Sequence, residues 1–131
     1  MVERRYVKGT WQRERAFSPA VSTRGGRMVW VAGHGAVRDG DGKSLAGDFA
    51  AQTHQSFRNM AASLEAAGGT LADLTTMTVF ITDVRFGTEF TRIRAEYFAA
   101  DKWPASALIT CAGMAAPEML VEIQGIAVVD D

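Results

Sequence analysis

The chain has 131 residues, of which 47% are hydrophobic and 22% are charged, which is typical of one globular domain with an apolar core. Its 14 Lys and Arg residues nearly balance its 15 Asp and Glu residues, giving a formal net charge of -1. This balance excludes a strong overall attraction to nucleic acid or to an anionic membrane. The single cysteine, Cys111, excludes an internal disulfide, and two histidines are too few for a typical transition-metal site.

The N-terminal segment "VERRYVKGTWQRER" is locally basic, but it contains acids and is short, so we interpret it as a solvated segment rather than a polyanion site. No apolar run is long enough for a membrane span, and charged residues stand where a signal peptide would need its hydrophobic core. We therefore expect one cytoplasmic domain over residues 1–131. The chain lacks GxGxxG after a strand, a P-loop, HExxH and CxxC, so we expect no cofactor and no metal.

The first half of the chain predicts strands followed by a helix. "MVWVA" at 28–32 is a strand between two glycine turns, and the Gly- and Asp-rich segment 38–44 is an exposed turn. From Asp48, apolar residues recur at spacings of three and four until the glycine stop at 66–69. This pattern predicts an amphipathic helix.

The second half predicts a strand over 74–84, a helix from about Gly87 to Ala100, and two strands after Pro104. The order indicates an α+β domain with about six strands in a mixed sheet and two helices on one face. Because the chain is rich in apolar residues, we expect the other face of the sheet to be apolar and to be buried against another surface. We therefore expect a second subunit there, and so a homo-oligomer.

Glu122 interrupts the apolar run "MLVEIQGIAVV" at 119–129. Strand alternation places Glu122 and Gln124 on one side, as a polar spot on a face that otherwise looks buried. Two interpretations stay open. Either both side chains meet solvent at a strand edge, or Glu122 is a cleft carboxylate with a raised pKa that moves a proton or orients water.

Other candidate residues are more ambiguous. Ser106 can hydrogen-bond a ligand carboxylate, although serine is ordinary in a strand. Arg92 and Arg94 flank the stripe of the second helix on opposite sides, where spacing alone predicts solvated arginines. His34 stands between two glycines at a strand end, which permits ligand access.

Three segments together resemble the Rid family, also known as YjgF or reactive-intermediate deaminases: "AAQTHQSFRNMAASLEAAGGTLADLTTMTVFITDV", "FAADKWPAS" and "LVEIQGIAV". The resemblance extends from about Phe17 to Val128. It implies a chorismate-mutase-like α+β fold, a homotrimer with clefts between subunits, and cofactor-free hydrolysis of enamines and imines such as 2-aminoacrylate. It also implies that Glu122 orients the water and that Gly33 is the glycine at the end of the central strand.

The chain departs from the pattern of the family at the substrate clamp. Where archetypal deaminases have an arginine after "PA", "WPAS" has Ser106, which supplies neither the charge nor the fork geometry. A helix position that usually holds asparagine is Arg94. Three further family positions, an aromatic residue, the residue before the glycine and a cysteine, fall on Ala20, Ala32 and Leu108. These departures point to a ligand other than 2-aminoacrylate.

The sequence thus predicts a hydrolytic deaminase of an enamine or imine, with an aminomuconate-type substrate as one option. Glu122 would act on the water, and Ser106, Arg94, His34 and Gly33 would bind the substrate. The alternative is a non-catalytic trimer that binds a small metabolite and regulates a partner. Endoribonuclease activity is least supported, because the balanced charge offers no phosphate-tracking surface.

Overall fold

The computed structural model describes all residues, 1–131, and confirms an α+β fold. Its strands are β1 (Glu3–Tyr6), β2 (Val21–Arg24), β3 (Arg27–His34), β4 (Leu74–Ile81), β5 (Ala105–Thr110) and β6 (Val121–Val129). Its α-helices are α1 (Trp11–Glu14), α2 (Phe49–Ala66) and α3 (Gly87–Arg94), and short 3₁₀ turns precede β4 and α3.

The six strands form two sheets rather than the single sheet that the sequence predicts. β1 and β2 pair as an antiparallel ribbon, and the other four strands follow the order β3-β6-β4-β5. β4 and β5 are parallel, whereas β6 is antiparallel to both of its neighbours. The N-terminal segment interpreted as solvated contains β1 and α1; α1 buries no residue, and β1 alternates exposed and half-buried residues.

α2 begins where the sequence predicts. The Asp48 side chain caps it by accepting a hydrogen bond from the Ala51 backbone N–H at 3.0 Å, and Gly68 follows it with a φ of +89°. α3 is shorter than predicted: beyond it, Glu96 and Tyr97 bond to carbonyls three residues back instead of four. No helix is both long and apolar enough to span a bilayer.

α2 and α3 cover the same face of the four-stranded sheet, as predicted. Their apolar residues pack in one core with those of the sheet; the fully buried members include Phe57, Met60, Phe90, Met77, Val79 and Ile123. The opposite face carries Met28 and Trp30, which are 53% and 72% exposed. No element of the chain covers that face at Trp30.

Candidate functional site

Glu122 lies in the middle of the four-stranded sheet, since β6 has β3 on one side and β4 on the other. The strand-edge interpretation is therefore wrong. Glu122 is half-buried and pairs in register with Phe80 of β4, on the face that no helix covers. Its carboxylate forms no ion pair and accepts no hydrogen bond within the chain. It is an unpaired carboxylate on the uncovered face of the sheet.

Gly33 lies directly beside this carboxylate. The register between β3 and β6 shifts between Val31 and His34, which marks a β-bulge, and Gly33 lies within it. A Cβ at Gly33 would stand 2.6 Å from Oε2 of Glu122 and 2.9 Å from its Cδ. The absence of a side chain thus makes room for the carboxylate in its present position.

His34 lies at the end of the same bulge but not beside Glu122. It pairs with Ile123, whose side chain is in the core beneath the helices. Its Nδ1 is 2.6 Å from the carbonyl oxygen of Ala32, and its Nε2 is 2.7 Å from Oγ of Ser63 in α2. A neutral ring that donates from Nδ1 and accepts at Nε2 satisfies both contacts. The ring therefore fastens the bulge to α2.

Arg94 and Ser106 form a second cluster, away from Glu122. Nη1 of Arg94 donates to Oγ of Ser106 at 2.7 Å, and Nη2 donates to the carbonyl oxygen of Arg15 at 3.0 Å. The prediction of a solvated side chain is wrong for Arg94, which is 2% exposed. It is confirmed for Arg92, whose side chain is 67% exposed.

The Arg94 guanidinium is a buried cation without a carboxylate partner. Its Cζ lies 5.1 Å from the ring centroid of Phe90 and 5.7 Å from that of Phe17, which provides cation–π stabilisation. Its Nε is buried and makes no hydrogen bond. Burial first, and then repulsion by Arg15, lower the pKa of Arg94 to about 10, so it still carries its charge at neutral pH.

A cavity of about 450 Å³ opens at this cluster, between α1, α3 and β5. Its lining residues are Trp11, Arg15, Phe17, Thr91, Arg94, Ser106, Ala107 and Leu108. None of them is acidic. No three His, Cys, Asp or Glu side chains of the chain converge as metal ligands, here or elsewhere.

The two clusters lie on opposite faces of the sheet. β5 pairs with β4 and not with β6, so Ser106 and Glu122 are not on neighbouring strands. Phe80 pairs with both Glu122 and Ile109, which puts Ile109 on the face of Glu122. Ser106 pairs with the core residue Met77 and shares the helix-covered face. One chain therefore unites Glu122 with Gly33, and Arg94 with Ser106, but does not unite the two pairs.

The sequence interpretation assigned only Arg94 and Ser106 to the site and missed the other six lining residues of the cavity: Trp11, Arg15, Phe17, Thr91, Ala107 and Leu108. The first three lie in the segment taken as solvated or within two residues of its end. The sequence signal for this wall of the cavity is the pair of aromatic residues in and just after the segment, because Trp11 and Phe17 contact one another edge to face, with their ring centroids 5.6 Å apart.

The chain matches the family model described as Endoribonuclease L-PSP over residues 11–129. Among solved structures it is similar to a YjgF-family protein from Mycobacterium tuberculosis, with 32% identity, a TM-score of 0.67, and coverage of 97% of this chain and 100% of that one. The Rid-family protein YyfB of Yersinia pestis, of unknown function, has 26% identity and a TM-score of 0.78, covering 96% and 98%. RidA of an Antarctic Psychrobacter has 29% identity and a TM-score of 0.71, covering 86% and 88%.

Proposed function

The chain belongs to the endoribonuclease L-PSP family, which contains the Rid (YjgF) proteins, and from this premise we propose that it is a cofactor-free hydrolytic deaminase of enamine or imine metabolites. The observation that carries the proposal is the free carboxylate of Glu122, held half-buried beside Gly33. Such a group lacks a structural role and is available to a water molecule or a substrate.

The proposed catalytic unit is a homotrimer with its sites between subunits. Two charges without partners support it: the Glu122 carboxylate on the uncovered face and the Arg94 cation on the other. A head-to-tail ring brings opposite faces of successive subunits together, so the Glu122 of one chain can face the Arg94 of the next across a cleft that holds the substrate between them. The exposed Trp30 and Met28 supply apolar surface for that contact.

In the proposed reaction, an enamine first tautomerises to its imine. The imine takes up a proton from solvent on its nitrogen, and Glu122 then accepts a proton from a water molecule as the water oxygen bonds to the imine carbon. Glu122 next donates that proton to the amino group of the resulting carbinolamine. The C–N bond breaks as ammonia leaves, the hydroxyl proton returns to solvent, and the other product is a carbonyl compound. Water supplies the oxygen, and no oxidant or reductant is needed.

The remaining candidates bind or position in this proposal. Arg94 holds the anionic group of the substrate, with Ser106 fixing one of its nitrogens at 2.7 Å. Gly33 leaves room for the carboxylate of Glu122 and for the reacting carbon. His34 acts through the bulge that it fastens to α2, as a positioning residue.

A non-catalytic, metabolite-binding trimer is the second candidate. The observation in its favour is Ser106, which stands where the family resemblance implies an arginine. In that case the same clefts would bind a small anion without turning it over.

To distinguish the deaminase from the binding protein, ammonia release is measured with imines generated in situ and with 2-aminomuconate. Cleavage of single-stranded RNA is assayed in parallel. We expect turnover of at least one imine and a fall of about 10²- to 10⁴-fold for Glu122→Gln, the usual range for a general base. The matched control is Glu118→Gln, an exposed glutamate in the loop before β6. Equal ammonia release by Glu122→Gln and wild type would remove Glu122 from the mechanism. Ligand-induced stabilisation without turnover would support the binding protein instead.

A further inference from the structure

The cavity between α1, α3 and β5 contains two guanidinium groups and no carboxylate. Arg94 forms its inner wall. It is 2% exposed, its Nε has no partner, and its two other nitrogens donate only to uncharged groups: a hydroxyl, a carbonyl oxygen and the thioether sulfur of Met77. A buried cation of this kind is stabilised when an anion enters beside it.

Arg15 forms the second cationic wall. Its Nη2 lies 3.7 Å from the Cβ position of Gly87, at the start of α3. Two other arginines of the N-terminal segment have acidic partners: Arg4 pairs with Asp73 at 2.7 Å and Arg13 with Asp101 at 3.1 Å. Arg15 forms no ion pair in the chain.

The two arginines repel one another, and this repulsion contributes, after burial, to the lowered pKa of Arg94. Two like charges facing one cavity without an intervening carboxylate raise the free energy of the empty site. An anionic ligand with a single charge relieves this repulsion in part, and a ligand with two charges relieves it more fully.

The other walls are flat and apolar. Trp11, which is 61% exposed, meets Phe17 edge to face at an interplanar angle of 73°. Leu108 of β5, 36% exposed, also lines the cavity. Aromatic walls of this kind favour a planar, conjugated ligand body over a flexible aliphatic one.

We propose that this cavity binds a dianion with two carboxylates on a flat conjugated body, one held by Arg94 and the other by Arg15. This names the substrate class of the deaminase and rests on the proposed function for that assignment. Binding itself does not require turnover, so the two can be tested separately.

The test uses four unreactive probes in isothermal titration calorimetry at fixed ionic strength. Isophthalate and terephthalate are flat dianions with different carboxylate spacings, benzoate is a flat monoanion, and glutarate is a flexible dianion. We expect one of the two phthalates to bind at least 10-fold more tightly than benzoate and than glutarate. A charge-assisted pair of about 1.5–3 kcal/mol corresponds to roughly 10- to 100-fold in affinity.

Variants assign each carboxylate to its arginine. Arg15→Gln should reduce phthalate affinity to the level of benzoate and leave benzoate affinity unchanged, whereas Arg94→Gln should weaken both. Arg13→Gln in α1, two residues before Arg15, and Arg92→Gln in α3 are matched controls, since both arginines are exposed and paired with acids. Arg94→Met, with similar volume, replaces Arg94→Gln if the latter does not fold.

Equal affinities for benzoate and both phthalates would overturn the proposal, as would phthalate binding that Arg15→Gln leaves intact. A third result would also overturn the proposal: no probe binds, and Arg15→Gln or Arg94→Gln changes the oligomeric mass. That result would show that a carboxylate of another copy of the chain fills the cavity. Imine turnover without phthalate binding refutes this inference alone. Phthalate binding without turnover of any imine refutes the proposed function alone.

Discussion

The guanidinium of Arg94 in α3 donates a 2.7 Å hydrogen bond to the hydroxyl of Ser106 in β5. These are the two positions at which the family resemblance implies asparagine on the helix and arginine on the strand. The cation of the cluster thus enters from the helix instead of the strand. The exchange keeps one arginine at these two positions but moves it from the strand to the helix, which supports a different ligand shape.

Restoring the strand arginine without removing the helix one should destabilise the protein. Ser106→Arg would remove the hydroxyl that accepts a hydrogen bond from Nη1 of Arg94 and would bring another guanidinium close to this buried cation. We expect a loss of about 2–4 kcal/mol in the free energy of unfolding, measured by urea denaturation.

The double variant Ser106→Arg with Arg94→Asn should recover at least about 1 kcal/mol relative to the sum of the two single changes, because the residues are in contact. It should also shift turnover from larger imines toward 2-aminoacrylate. Strictly additive changes in stability, with no change in substrate preference, would show that the two positions do not exchange roles.

Gly33→Ala should impair catalysis with little effect on stability. The added Cβ would stand 2.6 Å from Oε2 of Glu122, so the flexible carboxylate has to move. We expect kcat to fall by about 10-fold or more, since displacing a catalytic group by about 1 Å is costly. The control is Gly40→Ala, where a Cβ meets nothing within 4 Å. Full activity in Gly33→Ala would mean that the present position of Glu122 is not the catalytic one.

Carboxylate binding should weaken at high pH through Arg94. Burial and repulsion by Arg15 lower its pKa to about 10, so the cation is complete below pH 9 and is lost as the pH rises through 10. The dissociation constant of benzoate should stay flat from pH 7 to 9 and then rise about tenfold per pH unit above 10. Arg94→Gln should bind benzoate weakly without this inflection. An identical inflection in that variant would assign the titration to another group.

The uncovered sheet face should be the subunit contact. Trp30 is 72% exposed and lies there, so Trp30→Asp should convert the proposed homotrimer to a monomer, as measured by sedimentation velocity. Val84 is 74% exposed but lies in the turn before α3, and Val84→Asp is the matched control that should leave the mass unchanged. A trimeric Trp30→Asp would place the contact elsewhere.

Periodicity was sufficient for most of the fold. The apolar stripe of α2 and the alternation in β4 and β6 depend on local burial, so they appear directly in the sequence. The pairing of β5 with β4 cannot be read from the sequence in this way, because strand order is set by long-range contacts. For that reason the sequence could not place Ser106 and Glu122 on different faces.

The candidate site was predictable to a smaller extent. Glu122 and Gly33 were identified, and the structure places them in contact. The burial of Arg94 could not be predicted, because its spacing on α3 matches that of a surface residue. What buries it is the packing of Phe17 and the Arg15 backbone over the end of the helix, from a segment 79 residues away in sequence.

The most direct test of a site shared between subunits mixes two inactive variants. Glu122→Gln and Arg94→Gln are unfolded together at equal concentration, refolded, and assayed for ammonia release from an imine that the wild type turns over. In a random cyclic trimer, about a quarter of the clefts receive an intact Glu122 from one chain and an intact Arg94 from its neighbour. The account predicts recovery of about that fraction of wild-type activity, against almost none for each variant refolded alone. Mixed trimers, verified by mass, that remain as inactive as the separate variants would contradict it.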